Sequence, residues 1–344
     1  EYLVGSRFGY YVYSTLIYAL VRQQEVPDYA TAVVLASITL LLLAVIIPLQ
    51  HRVVNRRTFT TVTSSYKPTL LDLGRYRWIA WGAITSIVVV LTAVPTFVVI
   101  VGSFMTRVGF FDIPKVWTLR HWDFVLHDDH FWQAFKTTMI LATTAGLISP
   151  ILFSMFAYLI VRTKLRGRVL LDTIIWAGAA VPGILLGLGL LMMFLMVPGL
   201  KWMFGTIWPL VLVMIVHGKH TGTNVLKGVM IQLGASMEEA ARISGAGFLR
   251  TYTRIVLPIL APTMVLVGML SFVGAANTTS SIILLASRDT TTLSILALEI
   301  GSSDRGNIEA GGIISLIIMA LCLVLAIPAR ILSNRVTLKQ ETNV

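Results

Sequence analysis

The chain is built from apolar runs long enough to cross a lipid bilayer, and no other feature restricts its fold so tightly. A hydrocarbon core of roughly 30 Å takes about 20 helical residues. Runs of this kind read at 29–50, 79–104, 132–161, 169–197, 203–219, 259–284 and 309–329. They are continuously apolar, without the two-residue alternation of barrel strands, so they predict helices. The expected fold is an all-α polytopic membrane protein with about seven transmembrane helices. The fifth run is the shortest, because Trp208-Pro209 interrupts it. Only 12% of the residues are charged, about half the share in soluble domains. Cys322, the single cysteine, lies inside the last run, so no intrachain disulfide can form. The chain begins with Glu1, and residues 1–27 lack the layout of a signal peptide, which leads us to expect a fragment or a processed product.

Seven spans alternate the loops between two sides, and the charges say which side is which. Segments 51–78, 162–168, 220–258 and 330–344 share one side and hold most of the 27 basic residues, among them Arg52, Arg56, Arg57, Arg162, Lys164, Arg166, Arg168, Arg242, Arg250, Arg254 and Arg330. Most of the 16 acidic residues fall on the other side. Basic residues mark cytoplasmic loops, so 220–258 is expected in the cytoplasm and 1–28 outside. This asymmetry accounts for the net charge of +11, and no nucleic-acid partner is implied.

Segment 220–258 is the long cytoplasmic loop. Val225, Val229, Leu233, Met237, Ala240 and Ala241 recur at helical spacing, which predicts an amphipathic helix over 224–245 with Glu238, Glu239 and Arg242 on other faces. Gly245-Ala246-Gly247 is a stop signal, since glycine accepts the left-handed conformation that ends helices. A second short helix is expected from Phe248 to Leu257, and Pro258 and Pro262 suit the first turn of the next span.

Glu239-Ala240-Ala241, then Gly245, then Ile255-x-Leu257-Pro258 match every fixed position of E-A-A-x3-G-x9-I-x-L-P. This resembles the EAA loop of ABC importer permeases. The resemblance implies a type I permease-like core whose loop is a coupling helix seated on cytoplasmic ABC ATPase subunits, probably a dimer in such systems. It implies ATPase-coupling roles for Glu238, Glu239, Ala240, Ala241, Gly245, Ala246, Ile255, Leu257 and Pro258. Glu239 would offer a carboxylate to a basic group of the ATPase, and the two alanines would permit close approach. It also implies an extracytoplasmic solute-binding protein and a place in the inner membrane of a prokaryote. ATP and Mg would be held by the partner: "HGKHTG" at 217–222 lacks the first glycine of a P-loop and reads as the end of a span, with Lys219 at the lipid headgroups. No cofactor is expected in this chain, and the chain itself is expected to be a transporter subunit, not an enzyme.

Shifting the chain by 280 residues lays 14–38 over 294–318, with Ser14/Ser294, Leu16/Leu296 and Ala30/Ala310 identical. Each copy has a semi-polar segment, an acidic residue and then an apolar span. Residues 1–50 are therefore expected to end a first permease half, 51–78 to be a cytoplasmic linker, 79–335 to form a second half of six spans, and 336–344 to be a cytoplasmic tail. This layout, with "YKPTLLDLGRYRW" and "AVPGILLGLGL" (180–190), is similar to the fused iron(III) ABC importer permeases. The resemblance implies ferric iron as the solute. Thiamine, polyamines and phosphonates are the alternatives.

Other chemistry is sparse. His127, Asp128, Asp129 and His130, with His121 nearby, could ligate a transition metal. A wet loop above the aromatic belt of Phe131 and Trp132 is the simpler reading, so no metal site is expected. Pro182, Gly183, Gly187 and Gly189 could bend a pore helix or allow close packing. Deep ionisable residues are few, with Lys136 and Asp172 near span ends, which disfavours an ion-coupled secondary transporter. The spans offer a hard cation only scattered oxygens such as Ser271, Thr278 and Ser280. No G-x-S-x-G or H-E-x-x-H suggests an intramembrane enzyme.

Overall fold

A computed structural model describes residues 10–55, 74–233, 236–302 and 306–342. The linker expected at 51–78 lies mostly outside the described residues. In chain order the helices are α1 (Tyr13–Tyr18, continued by a wider turn Ala19–Gln23), α2 (Tyr29–Asn55), α3 (Gly74–Ser103), α4 (Arg120–Leu126), α5 (Asp129–Arg162) and α6 (Arg168–Ala177). There follow α7 (Gly183–Met196), α8 (Trp208–Gln232), α9 (Ser236–Ile243), α10 (Phe248–Asn277), α11 (Leu293–Ser302) and α12 (Ile308–Thr342). Among the described residues the only β pairing is one antiparallel bridge between Met105 and Trp117.

Five of these helices, α2, α3, α5, α10 and α12, are long and apolar enough to cross a membrane. The other two expected spans take different forms. The run 169–197 is broken between Ala177 and Gly183, where Pro182 has φ −55° and ψ 140°. Proline lacks the N–H of the helical ladder and disfavours helix at the residue before it. The run 203–219 becomes the first half of α8, which continues through the polar stretch "HGKHTGTN" to Gln232. Lys219 therefore sits in mid-helix and not at a span end.

Two more boundaries move. The sixth run stops at Asn277 instead of 284, and 278–286 forms turns. The amphipathic helix expected over 224–245 is two helices, since Leu233 leaves α8 in an extended conformation. Gly234, the next residue, is a poor helix former. The short helix at Phe248 runs on into α10 without a stop at Pro258. A wide turn at Tyr252–Val256 loosens the ladder just where that proline removes a donor.

The central packing is α5 against α10 and α8, with α12 against α10 and α11. One apolar core joins Phe131, Leu188, Leu210, Ile282, Leu293 and Ile313. A smaller one around Phe153, Tyr158, Met230, Tyr252 and Leu260 lies toward the loop end of α8. The N-terminal hairpin belongs to the larger core through Ile17, Val21, Ala32 and Ala36. Its geometry follows the sequence repeat: Leu293 begins α11 280 residues after Tyr13 begins α1, and Ile308 begins α12 279 residues after Tyr29 begins α2. Arg22 fixes the hairpin by donating from Nε and Nη2 to the Ile283 carbonyl at 3.2 and 2.9 Å, and from Nη2 also to that of Ala286.

The α5–α10 crossing is closest at Gly146 and Gly268. A Cβ at Gly268 would lie 2.7 Å from the Gly146 carbonyl oxygen and 3.2 Å from Pro150 Cγ. At Gly274, on the same helix, it would meet nothing within 4 Å. Gly268→Ala should therefore cost about 1–3 kcal/mol through overpacking. Gly274→Ala should be neutral or stabilise by about 0.5–1 kcal/mol. Thermal unfolding of the detergent-solubilised protein checks this, and equal effects at the two sites would refute the close crossing.

Candidate functional site

The segment bearing the E-A-A pattern folds as a stiff, short helix. In α9, Glu238 and Glu239 occupy the first turn, where negative charge suits the helix dipole. The helix closes as the glycine requires. Gly245 has φ 78°, the Ala246 N–H donates to the Ala241 carbonyl at 2.9 Å, and the Ser244 N–H donates to Ala240 at 3.0 Å. The bond from 246 to 241 across a left-handed residue is a Schellman closure, and a β-carbon there would be strained.

The two glutamates part company. Glu239 and Ala240 are exposed, and Ala241 is half-buried. Glu238 turns inward, where Arg162 Nε lies 3.1 Å from Oε1 and the Tyr158 hydroxyl donates to Oε2 at 3.1 Å. Both members of the ion pair are largely buried, their side chains 14% and 10% exposed. Glu238 is thus spent inside the protein, and of the two carboxylates expected to face an ATPase only Glu239 is open to a partner.

Arg162 is the last residue of α5, and it does a second job. Its Nη2 donates to the Met230 carbonyl at 3.0 Å and to that of Leu233, groups left over where α8 ends. One guanidinium therefore ties together the end of α5, the end of α8 and the start of α9. Aromatic packing backs it: Tyr158 stands edge-on to Phe248 and Tyr252, each with ring centroids 5.4 Å away, and Ser154 Oγ lies 2.8 Å from the Tyr252 hydroxyl. Ile255 lines the same small cleft as Arg162 and Glu238, Leu257 packs on the core beneath, and Pro258 is exposed. Sequence reasoning counted Arg162 only as a loop charge. The available signal was the i, i+4 pair Tyr158 and Arg162 at a helix end, two polar groups that need a shared partner.

The remaining candidates lie elsewhere. Gly183 and Gly187 pack against the turn after α10: a Cβ at Gly183 would lie 2.8 Å from Ser280 Oγ, and one at Gly187 2.6 Å from the Ser281 carbonyl oxygen. Gly189 meets nothing. Asp172 is bound by Lys227, with Nζ 2.7 Å from both carboxylate oxygens. Asp128 caps α5 by accepting from the His130 N–H at 3.0 Å, and His127 pairs with Asp123 at 3.1 Å. Among the described residues no three His, Cys, Asp or Glu side chains converge on one point.

Because the clasp is buried, removing one partner strands the other. Arg162→Met or Glu238→Leu alone should each destabilise by about 3–5 kcal/mol, and the double variant by less than their sum. Thermal unfolding with hydrogen exchange over α9 measures this, and strictly additive losses would show the pair to be uncoupled.

Comparison with known proteins agrees with this geometry. Residues 150–338 match the family model described as binding-protein-dependent transport system inner membrane component. The chain is 26% identical over 333 residues to the ferric transport system permease protein FbpB of Actinobacillus pleuropneumoniae, covering 93% of this chain and 46% of that one. It is 26% identical over 262 residues to a putative 2-aminoethylphosphonate transport system permease protein PhnV of Salmonella typhi, covering 74% of this chain and 95% of the relative. The chain spans about half the length of the ferric transport relatives it matches. Its fold is similar to a chain in the crystal structure of a bacterial ABC transporter that imports the polysaccharide alginate, with a TM-score of 0.61 and 18% identity, covering 76% of this chain and 97% of that chain. The family match takes in more than half of the residues and includes α9, its glycine closure and the helices that the Arg162 clasp joins. This multi-pass membrane protein therefore belongs to the family of binding-protein-dependent transport system inner membrane components.

Proposed function

We propose that the chain is the permease part of an ATP-driven importer, and that α9 is its coupling helix. The observation that supports this most directly is the division of labour between the two glutamates. Glu238 anchors α9 to α5 and α8, while Glu239 and Ala240 stand exposed on the anchored helix. A surface that must pass force to the spans needs both properties, since a loosely tethered helix would move without moving anything else. The partner would be a pair of cytoplasmic ABC ATPase subunits that hold ATP and Mg. A basic group on the ATPase would meet Glu239. Closure of the ATPase would push on α9 and so on α5 and α8, because ligand states can shift a conformational equilibrium only through contacts that differ between them.

In this reading residues 13–55 end a first permease half and 79–335 form the second, as the shared helix–break–helix geometry suggests. An extracytoplasmic binding protein would deliver the solute, and the machine would sit in the inner membrane of a prokaryote. Ferric iron is the leading solute, on the strength of a relative that aligns with 93% of the chain. Organic phosphonate is the second reading, favoured by a relative almost wholly covered by the match.

The test uses the full-length permease with its ATPase and binding protein in proteoliposomes. Glu239→Lys should cut ATP-driven uptake about tenfold or more, as expected for a charge reversed at a contact worth roughly 1.5 kcal/mol or more. Gly245→Val, which forces a β-branched residue to positive φ, should weaken ATPase assembly while membrane insertion persists. Wild-type uptake in both variants would sink the coupling role. Identification of the solute follows from titrating the binding protein with ferric iron and with 2-aminoethylphosphonate. Affinity for the phosphonate without affinity for iron would replace the first reading by the second.

A further inference from the structure

Between Pro209 and Met230 on α8 the exposed residues are His217 and Thr221, one turn apart. Both are polar, which sets α8 apart from the helices that face lipid. On α2 and α3 the exposed positions are residues such as Leu41, Val45, Leu91 and Phe97. His217 lies about 14 Å along a helix of about 37 Å, far from either end. Exposed polar side chains at that depth belong against water or polar protein, not hydrocarbon.

The surroundings supply the chemistry. His217 Nδ1 lies 3.3 Å from Ser281 Oγ, which orients the ring and leaves the other nitrogen for a ligand. Ser281 is buried and its backbone is wedged against Gly187, while neighbouring Ser280 is exposed. Helix α8 carries Lys219, Lys227, His217 and His220 and no carboxylate. Lys227 is matched by Asp172. Lys219 has no carboxylate at ion-pair distance among the described residues and lies against the broken segment before α7, where a Cβ at Gly178 would be 3.1 Å from its Nζ. The field along this helix is therefore positive.

We propose that His217, Thr221 and Ser280 line a hydrated path beside α8, and that this path takes an oxyanion. The oxyanion is either the phosphonate or carboxylate group of the solute itself, or an anion bound to ferric iron and carried with it. The inference rests on the permease reading and narrows its substrate class: a bare trivalent cation has no counter-charge on this helix, whereas an oxyanion finds hydroxyls, imidazole and the Lys219 field.

Thiol labelling of the full-length transporter in membrane vesicles tests this without knowing the solute. Cys322, the native cysteine, is buried, so Thr221→Cys supplies the reactive thiol. Rates are measured with an anionic sulfonate thiosulfonate reagent and a cationic ammonium one, each relative to a free thiol in solution. We expect the anionic reagent to be favoured about tenfold by local attraction, and Lys219→Gln to reduce that preference. No reaction with either reagent would place Thr221 against lipid or packed protein and overturn the path. Preference for the cationic reagent would overturn the oxyanion assignment. Protection of the thiol by free 2-aminoethylphosphonate would identify the solute's own group as ligand, and protection only by iron-loaded binding protein would identify an anion travelling with iron. Protection by neither would also overturn the assignment. Labelling requires no ATP turnover, so uptake that ignores Glu239→Lys would remove the coupling reading and leave the labelling result to stand or fall alone.

Discussion

A peptide group with no partner costs several kcal/mol in hydrocarbon, so every place where a helix stops inside or beside the membrane has to be answered by a donor or an acceptor. This chain stops its helices often, and arginine supplies the answer at two of those places. Arg162 takes up the carbonyls of Met230 and Leu233 where α8 ends. Arg22 takes up those of Ile283 and Ala286 in the turn after α10. A guanidinium has five N–H donors in a fixed fork and stays charged in any protein environment, so it can serve two carbonyls and a carboxylate at once. The positions of the breaks, and hence the shape of the molecule, depend on these two residues.

The Arg162 case shows how such a repair becomes a machine part. Satisfying α8 alone would leave a buried positive charge, and Glu238 neutralises it from α9. A structural need at the end of one span thereby fixes the helix that faces the cytoplasmic loop side. The same chemistry explains why the first glutamate of the pair is inward and the second outward: residues one apart on a helix point about 100° away from each other, so they cannot share a face.

Much of this was legible in the sequence, for reasons that can be named. The helical class followed from the length of the apolar runs, and the glycine closure of α9 from Gly245 standing where only glycine is free of strain. The repeat between 14–38 and 294–318 predicted helices that begin at equivalent places, and they do. Other features depend on contacts between distant residues, which periodicity does not carry. Arg162 and Glu238 are separated by most of three helices, and neither spacing nor composition joins them. Pro258 looked like a helix start because the wide turn at Tyr252–Val256, which lets α10 run through it, has no sequence signature. Lys219 and His217 were placed at a membrane surface because polar residues end a hydropathy run, although α8 carries them on past mid-helix.

The Arg22 contact also bears on how the molecule is assembled. Its carbonyl partner on Ile283 lies 261 residues further along the chain. At about 5–20 residues per second a ribosome needs roughly 13–50 s to make that distance. The N-terminal hairpin must therefore wait in the bilayer or its insertion machinery with the guanidinium unmatched, and dock only when α10 and the turn behind it have arrived. Biogenesis of this protein ends where its sequence begins, and that late docking step closes the core that Ile17, Val21, Ala32 and Ala36 complete.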